Sequence, residues 1–164
     1  MSGDKSVFYK RMPGGIAGQV TREEMSKKEP QMMSSTAPCL FYGIPVKMDG
    51  NGKVTFITGA DDKIRGFLTR PYPVQEESIN YEGFSQGQPS VKQPCDILRS
   101  GYMMVQCLAG TPVLDGQVYV RWGTDSGTQG TIEAVTSGNQ AAITGAYFLG
   151  GADADGNVEI VYNI

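Results

Sequence analysis

Glycine and proline fall so densely along this chain that a bundle of long helices is excluded. There are 22 glycines and nine prolines among 164 residues. They lack the triplet period of collagen and instead separate short apolar runs. From Ala37 onward the runs are "CLFYGIPVKM", "KVTFIT", "KIRGFLTR", "YMMVQCLA", "QVYVRW", "TIEAV", "AAITGAYFL" and "VEIVYNI". The breaks between them include "DGNG", "GTDSGTQG", "TSGN" and "GGADADGN". Asp-Gly and Asn-Gly supply the positive φ angles of tight hairpin turns, so residues 39–58 read as the clearest hairpin. Eight short strands with turn signals between them predict a mainly β chain, a compact antiparallel β-barrel or sandwich-like domain. A length of 164 residues buries enough surface for one such domain without disulfide or metal.

Residues 1–36 have another texture and read as an extended N-terminal arm, with the β-rich domain over 37–164. Pro13, Gly14, Gly15 and Gly18 break any regular element, and Phe8, Tyr9, Ile16 and Val20 are too scattered for a helix face. Thr21 followed by Glu24 fits the cap of one helical turn. An extended arm of this kind orders on a partner, with its isolated aromatic and aliphatic side chains as anchors. Residues 75–96 are polar, with Gly83, Gly87, Pro89 and Pro94, and read as a long loop facing neighbours.

Missing chemistry narrows the function. The chain has no histidine, which removes Ser/His and Cys/His nucleophile pairs and histidine metal ligands. Cys39, Cys95 and Cys107 have neither zinc spacing nor an even count, so they read as buried thiols in a reducing compartment. No apolar run is long enough to span a membrane and the N-terminus lacks a signal-peptide core. Residues 100–164 carry Arg121 against six carboxylates, a formal −5, while residues 1–36 carry +2. Such a body repels phosphates, and nucleic acid is not an expected partner.

The remaining motifs have plain structural readings. "TDSGT" at Thr124–Thr128 carries the Asp-Ser-Gly of aspartic proteases, but that chemistry needs a paired carboxylate at the end of an apolar strand. Here it sits in a polar turn. "DADGNVE" at Asp153–Glu159 alternates oxygen ligands, yet its glycine and glutamate fall at the wrong positions for a calcium loop and suit a hairpin turn. The adjacent pairs Asp61–Asp62 and Glu76–Glu77 point to opposite faces of an extended chain and form no acid/base couple. One member of each methionine doublet, Met32–Met33 and Met103–Met104, is expected to pack inward. Trp122 ends a strand and reads as core before interface anchor.

The stretches "KIRGFLTRPYPVQ", "CDILRSGYMMVQ", "QVYVRWG" and "ADADGNVEIVYNI", in this order, resemble the capsid cement (head decoration) proteins of tailed bacteriophages. The opening "YKRMPGGIAGQVTR" is similar to that family's N-terminal arm. The resemblance implies a non-enzymatic, cofactor-free structural protein of the virion, made in the host cytoplasm. It implies a place on the outer surface of the capsid, bridging neighbouring major capsid protein subunits. It further implies self-association as a homotrimer, or less often a dimer, with no membrane partner. Phe8, Tyr9, Arg11, Ile16 and Val20 are the expected capsid-binding residues of the arm. Gln86–Gln93 and "GTDSGTQG" depart from the family pattern as local elaborations. The competing class is a carbohydrate-binding β-module of a virion, which predicts exposed aromatics clustered on one face.

Overall fold

Alternation in two neighbouring strands sets the architecture of the computed structural model, which describes residues 15–71, 89–124 and 128–164. Phe67 and Leu98 pair across Gly66–Leu68 and Cys95–Gln106, as do Leu68 and Ile97. Successive strand residues face opposite ways. Phe67 and Leu98 therefore enter one apolar cluster, and Leu68 and Ile97 another. Both faces of this part of the sheet are covered, and two cores result.

Nine strands build these cores: β1 Lys27–Gln31, β2 Pro45–Met48, β3 Val54–Phe56, β4 Gly66–Leu68, β5 Cys95–Gln106, β6 Gln117–Arg121, β7 Ile132–Glu133, β8 Gln140–Phe148 and β9 Asn157–Tyr162. The antiparallel order is β3-β2-β4-β5-β9-β8-β6-β7, with β1 paired to β5 outside that path. Beyond β5, Leu108 donates to the Ile132 carbonyl at 2.9 Å and Ala134 to Ala109 at 2.8 Å. The curled sheet β5-β9-β8-β6-β7 thus meets its own first strand. The other half closes likewise: Val54 and Ser34 exchange bonds with the chain leaving β1, Val54 N to Met32 O at 2.9 Å and Ser34 N to Val54 O at 2.8 Å. β5 is common to both halves.

The expected β-barrel or sandwich-like architecture is present, and its turns follow from sequence. Asp49 accepts from the Asn51 and Lys53 amides at 2.8 and 2.9 Å and closes the β2–β3 hairpin, with Gly52 at φ +71°. Asp153 does the same for β8–β9, accepting from Asp155 and Asn157 at 2.9 and 2.8 Å with Gly156 at φ +82°. The "DADGN" carboxylate thus serves its own turn. Phe67, Phe148, Ile143 and Ile160 are among the side chains buried fully, each contributing about 1.5–3 kcal/mol. Phe67 meets Tyr162 edge-on, ring centroids 5.0 Å apart.

Three expectations change. The polar run "KKEPQ" is strand β1, which periodicity did not indicate, because its backbone pairs with β5 rather than because its side chains are apolar. The turn at Glu23–Met25 exists as a 3-10 turn, but no side chain caps it. Thr21 Oγ1 donates instead to Glu159 at 2.6 Å. Both Met103 and Met104 are buried, whereas in the other doublet Met33 is buried and Met32 exposed.

Candidate functional site

With no histidine and few clustered acids, the segment most open to a functional reading is Gly15–Gln31, which lies along β5. Gly18 N donates to Met104 O at 2.8 Å, Met104 N to Gln19 O at 2.8 Å, and Thr21 N to Tyr102 O at 3.1 Å. Met103 is opposite both Val20 and Ile160, so this segment and β9 occupy the two edges of β5. After the turn at Glu23–Met25, β1 continues antiparallel along β5, with Lys28 opposite Leu98 and Gln31 opposite Cys95.

Glycine makes the docking close enough. Gly18 has φ +88°, and a Cβ there would stand 2.6 Å from the Cβ of Tyr42. Gly43, at φ +76°, would place a Cβ 2.6 Å from the Gly18 nitrogen. Two backbones therefore pass in contact where any side chain would separate them. Arg70 fastens the crossing, its amide donating to Gly18 O at 2.7 Å and its Nε to Ala17 O at 3.2 Å. Further along, the Arg22 guanidinium lies 4.0 Å over the Tyr102 ring and 3.4 Å from Glu159.

The electrostatics of the segment are those of a fastening. Glu29 on β1 accepts from Arg65 at 2.7 Å and Gln31 at 2.5 Å and pairs with Arg99 at 3.4 Å. The bond from Arg65, aided by Gln31 and Arg99, lowers its carboxyl below the ordinary value. Arg99 also donates to the Arg65 carbonyl. Across the sheet Asp62 accepts from the Thr58 and Gly59 amides at 2.8 Å and from Lys47 at 2.7 Å. Burial acts against its charge, but these donors prevail and its carboxyl is lowered. Asp61 is exposed and lies in a turn rather than in extended chain, so of this pair only Asp61 is solvated.

In the other half, Arg121 and Glu133 form a buried pair between β6 and β7, Nε to Oε1 at 2.6 Å and Nη2 to Oε2 at 3.1 Å. Gln140 donates to the same carboxylate at 2.6 Å. The cysteines are free thiols. Burial, with Cys95 nearby, pushes Cys39 up to about 12, and burial also raises Cys95 and Cys107. None is poised as a thiolate nucleophile. Two shallow apolar pockets flank Phe41 and Ile44, the larger about 230 Å³ and bounded by Leu40, Phe56, Thr124, Thr128 and Gln129. Among the described residues no cluster of three His, Cys, Asp or Glu could hold a metal ion, and no helix is long and apolar enough to cross a membrane.

Of the five arm residues, Ile16 is half-buried and Val20 packs against the larger core. Phe8, Tyr9 and Arg11 lie outside the described residues, as do Asp125 of the Asp-Ser-Gly run, Glu76 and Glu77, and residues 75–88 of the long polar loop. Trp122 is half-buried against the larger core. Among the exposed large hydrophobic side chains described, the one aromatic is Tyr147. Sequence reasoning missed Gly18, Gly43 and Arg70 as the crossing that holds the segment. Gly18 was visible as a break and Gly43 lay inside an apolar run, but nothing in the sequence said that they meet.

Comparison with known proteins gives the kind of protein to which this pair of β-cores belongs. Residues 5–162 match the model of the XM1 gp53 minor capsid protein family, so the chain belongs to that family. It is thus a structural, capsid-associated protein of a phage virion, in contact with other capsid components. A chain in the solved structure of the capsid of Myoviridae phage XM1 has the same fold. The two are 17% identical with a TM-score of 0.67, over 92% of this chain and 91% of that one. No curated protein matches the sequence.

Proposed function

We propose that this protein is a capsid decoration, or cement, protein that binds the outer surface of the phage head and bridges neighbouring major capsid protein subunits. It performs no catalysis. It acts as a homotrimer, with a dimer as the other closed arrangement. The observation that carries this reading is the run Gly15–Gln31, extended and fastened to β5 by backbone bonds, Arg70 and Glu159. A fastened base can transmit tension from whatever the preceding residues grip to the body of the protein. Phe8, Tyr9 and Arg11 are the gripping residues in this reading, with Ile16 and Val20 adjoining the body. Several copies engaged at once make weak individual contacts durable.

The test is co-sedimentation of the full chain with heads lacking it. Substituting Phe8→Ala, Tyr9→Ala and Arg11→Ala together is expected to reduce the bound fraction at least tenfold while leaving the melting temperature unchanged. Removal of residues 1–14 should do the same. Removal through Thr36, in contrast, strips β1 and Met33 from the fold and tests nothing about reach. Equal binding by the triple variant moves the grip to the β-body, and failure of the wild type to bind overturns cementing.

A further inference from the structure

The exposed apolar side chains are not spread evenly. Leu108, Val113, Leu114, Val135 and Tyr147 stand at one end of the molecule, Leu114 with 66% of its surface in solvent. Here β5 and β8 end and β6 and β9 begin. The connecting loops touch, since Asp115 N bonds Phe148 O at 2.9 Å and a Cβ on Gly110 would lie 2.9 Å from Val135. Residues 107–116, 132–139 and 149–156 hold exposed Asp115 and Asp155 and no basic residue. Asp153 is engaged in its own turn, and Glu133 is buried against Arg121. What fits this end is apolar and basic.

The chain itself carries such a segment beside it. Within residues 1–36 the basic excess falls wholly before Gly15. There Lys5, Lys10 and Arg11 stand against Asp4, whereas Arg22, Lys27 and Lys28 are balanced by Glu23, Glu24 and Glu29. Val7, Phe8, Tyr9 and Met12 lie among the first group of bases. Residues 1–14 are outside the described residues, but Gly15 gives the point where they join the body: a Cβ on it would meet the Met104 side chain at 2.6 Å. Met104 precedes Leu108 by four residues, about 13 Å of extended chain. Ala17 and Leu108 border one small pocket. Arg70 lines that pocket too, so a basic segment is favoured on its Leu108 side. The six residues from Gly15 back to Tyr9 reach about 20 Å, enough to carry the aromatic pair past Leu108 onto this end.

We propose that residues 1–14 strap over the apolar, acidic end of their own chain when no head is bound. Phe8 and Tyr9 rest on Leu108 and its apolar neighbours, with Lys10 and Arg11 toward Asp115 and Asp155. The proposal rests on the reading above, in which the same residues grip the shell, and adds its regulation: binding a head exchanges a contact within the chain for one with the shell. Tethering holds the segment at high effective concentration over this end, so a weak contact is enough. Left bare, a patch of this kind is a place where free copies adhere to one another. Ordering the segment costs chain entropy that grows with temperature, so the strap opens before the body melts.

A photo-reactive substitution in the full chain, Tyr9→p-benzoylphenylalanine, tests this without heads and in low salt. Illumination and mass spectrometry are expected to join position 9 to residues 107–116 or to Val135 of the same chain. The yield should hold when the protein is diluted about tenfold, because the reaction lies within one chain. Leu114→Ser, and separately Lys10→Glu with Arg11→Glu, should lower that yield at least fivefold, and adding Asp155→Lys to the second variant should recover it. Melting temperatures report any loss of folding separately. Cross-links elsewhere on the chain, a product of two chains that fades on dilution, or a yield indifferent to these variants overturns the proposal. Head co-sedimentation separates the two readings. Cross-links as expected in a wild type that does not bind heads keep the strap and overturn cementing, whereas their absence in a wild type that binds overturns the strap alone. Leu114→Ser, its strap loosened, should bind heads at least as well as the wild type. A folded Leu114→Ser that has lost binding assigns the apolar end to the shell and overturns the strap.

Discussion

Glu133 shows how much one side chain does in this fold. Strand β7 has two residues, Ile132 and Glu133, too few to hold a register by backbone bonds. The Arg121 pair and the Gln140 bond, which reaches over from the start of β8, fix it against β6. Removing one partner of a buried pair takes from the other the charge it was buried against, which costs about 3–5 kcal/mol. Glu133→Ala should therefore lower the urea-unfolding free energy by that amount. Arg121→Met with Glu133→Leu should recover most of it, because a well-packed apolar pair avoids the burial of charge. The sequence showed both residues as ordinary strand polar positions. Their pairing is a contact across 12 positions, and alternation is silent about which polar residue turns inward.

At the scale of elements, strands with apolar alternation and turns with Asp-Gly or Asn-Gly were legible, because local chemistry dictates them. β2, β3, β4, β6 and β7 lie within runs so identified, and β8 and β9 begin one residue before theirs. β1 was not legible, since "KKEPQ" is a strand through its neighbour's backbone and through Arg65 and Arg99 gathering Glu29. The same holds for residues 18–21, whose docking depends on Gly18 and Gly43 meeting. Gly18→Ala puts a side chain at positive φ, which alone costs about 1–2 kcal/mol. It also forces a Cβ to 2.6 Å from that of Tyr42. The expected result is a stability loss of at least that size, with hydrogen exchange at the Met104 amide accelerated by local opening. Exchange at Ile143, in the far core, should change less.

For the molecule as a whole, charge is arranged so that acid weakens one half. Among the described residues, the carboxyls held below their ordinary values are Glu29, Asp49 and Asp62, and all belong to the β1–β4 half. Each is lowered on folding, so its contribution is complete above the unfolded value and is lost as pH falls through the folded one. The unfolded values are 4.5 for glutamate and 3.8 for aspartate. The melting temperature should therefore be flat from neutral pH to about 5 and fall progressively below 4.5. Neutralising Glu29 and Asp62 together, as Glu29→Gln and Asp62→Asn, should flatten the decline, and an unchanged acid limb would remove these groups as its cause.

The shared strand has one more consequence, in time rather than in space. β5 is flanked on one edge by residues near the beginning of the chain and on the other by β9, which ends at Tyr162. A nascent chain can lay Val20 beside Met103 early, yet the part of β5 from Gly101 to Gln106 stays bare on its other edge until β9 has been made. Its partners are far apart in sequence, and such pairings form slowly because a long loop must close before they are rewarded. Emergence of β9 from the ribosome is then the step that commits the fold. A chain cut short before β9 leaves Met103 and Val105 uncovered, a sticky fragment for the quality-control machinery rather than a poor copy of the finished protein.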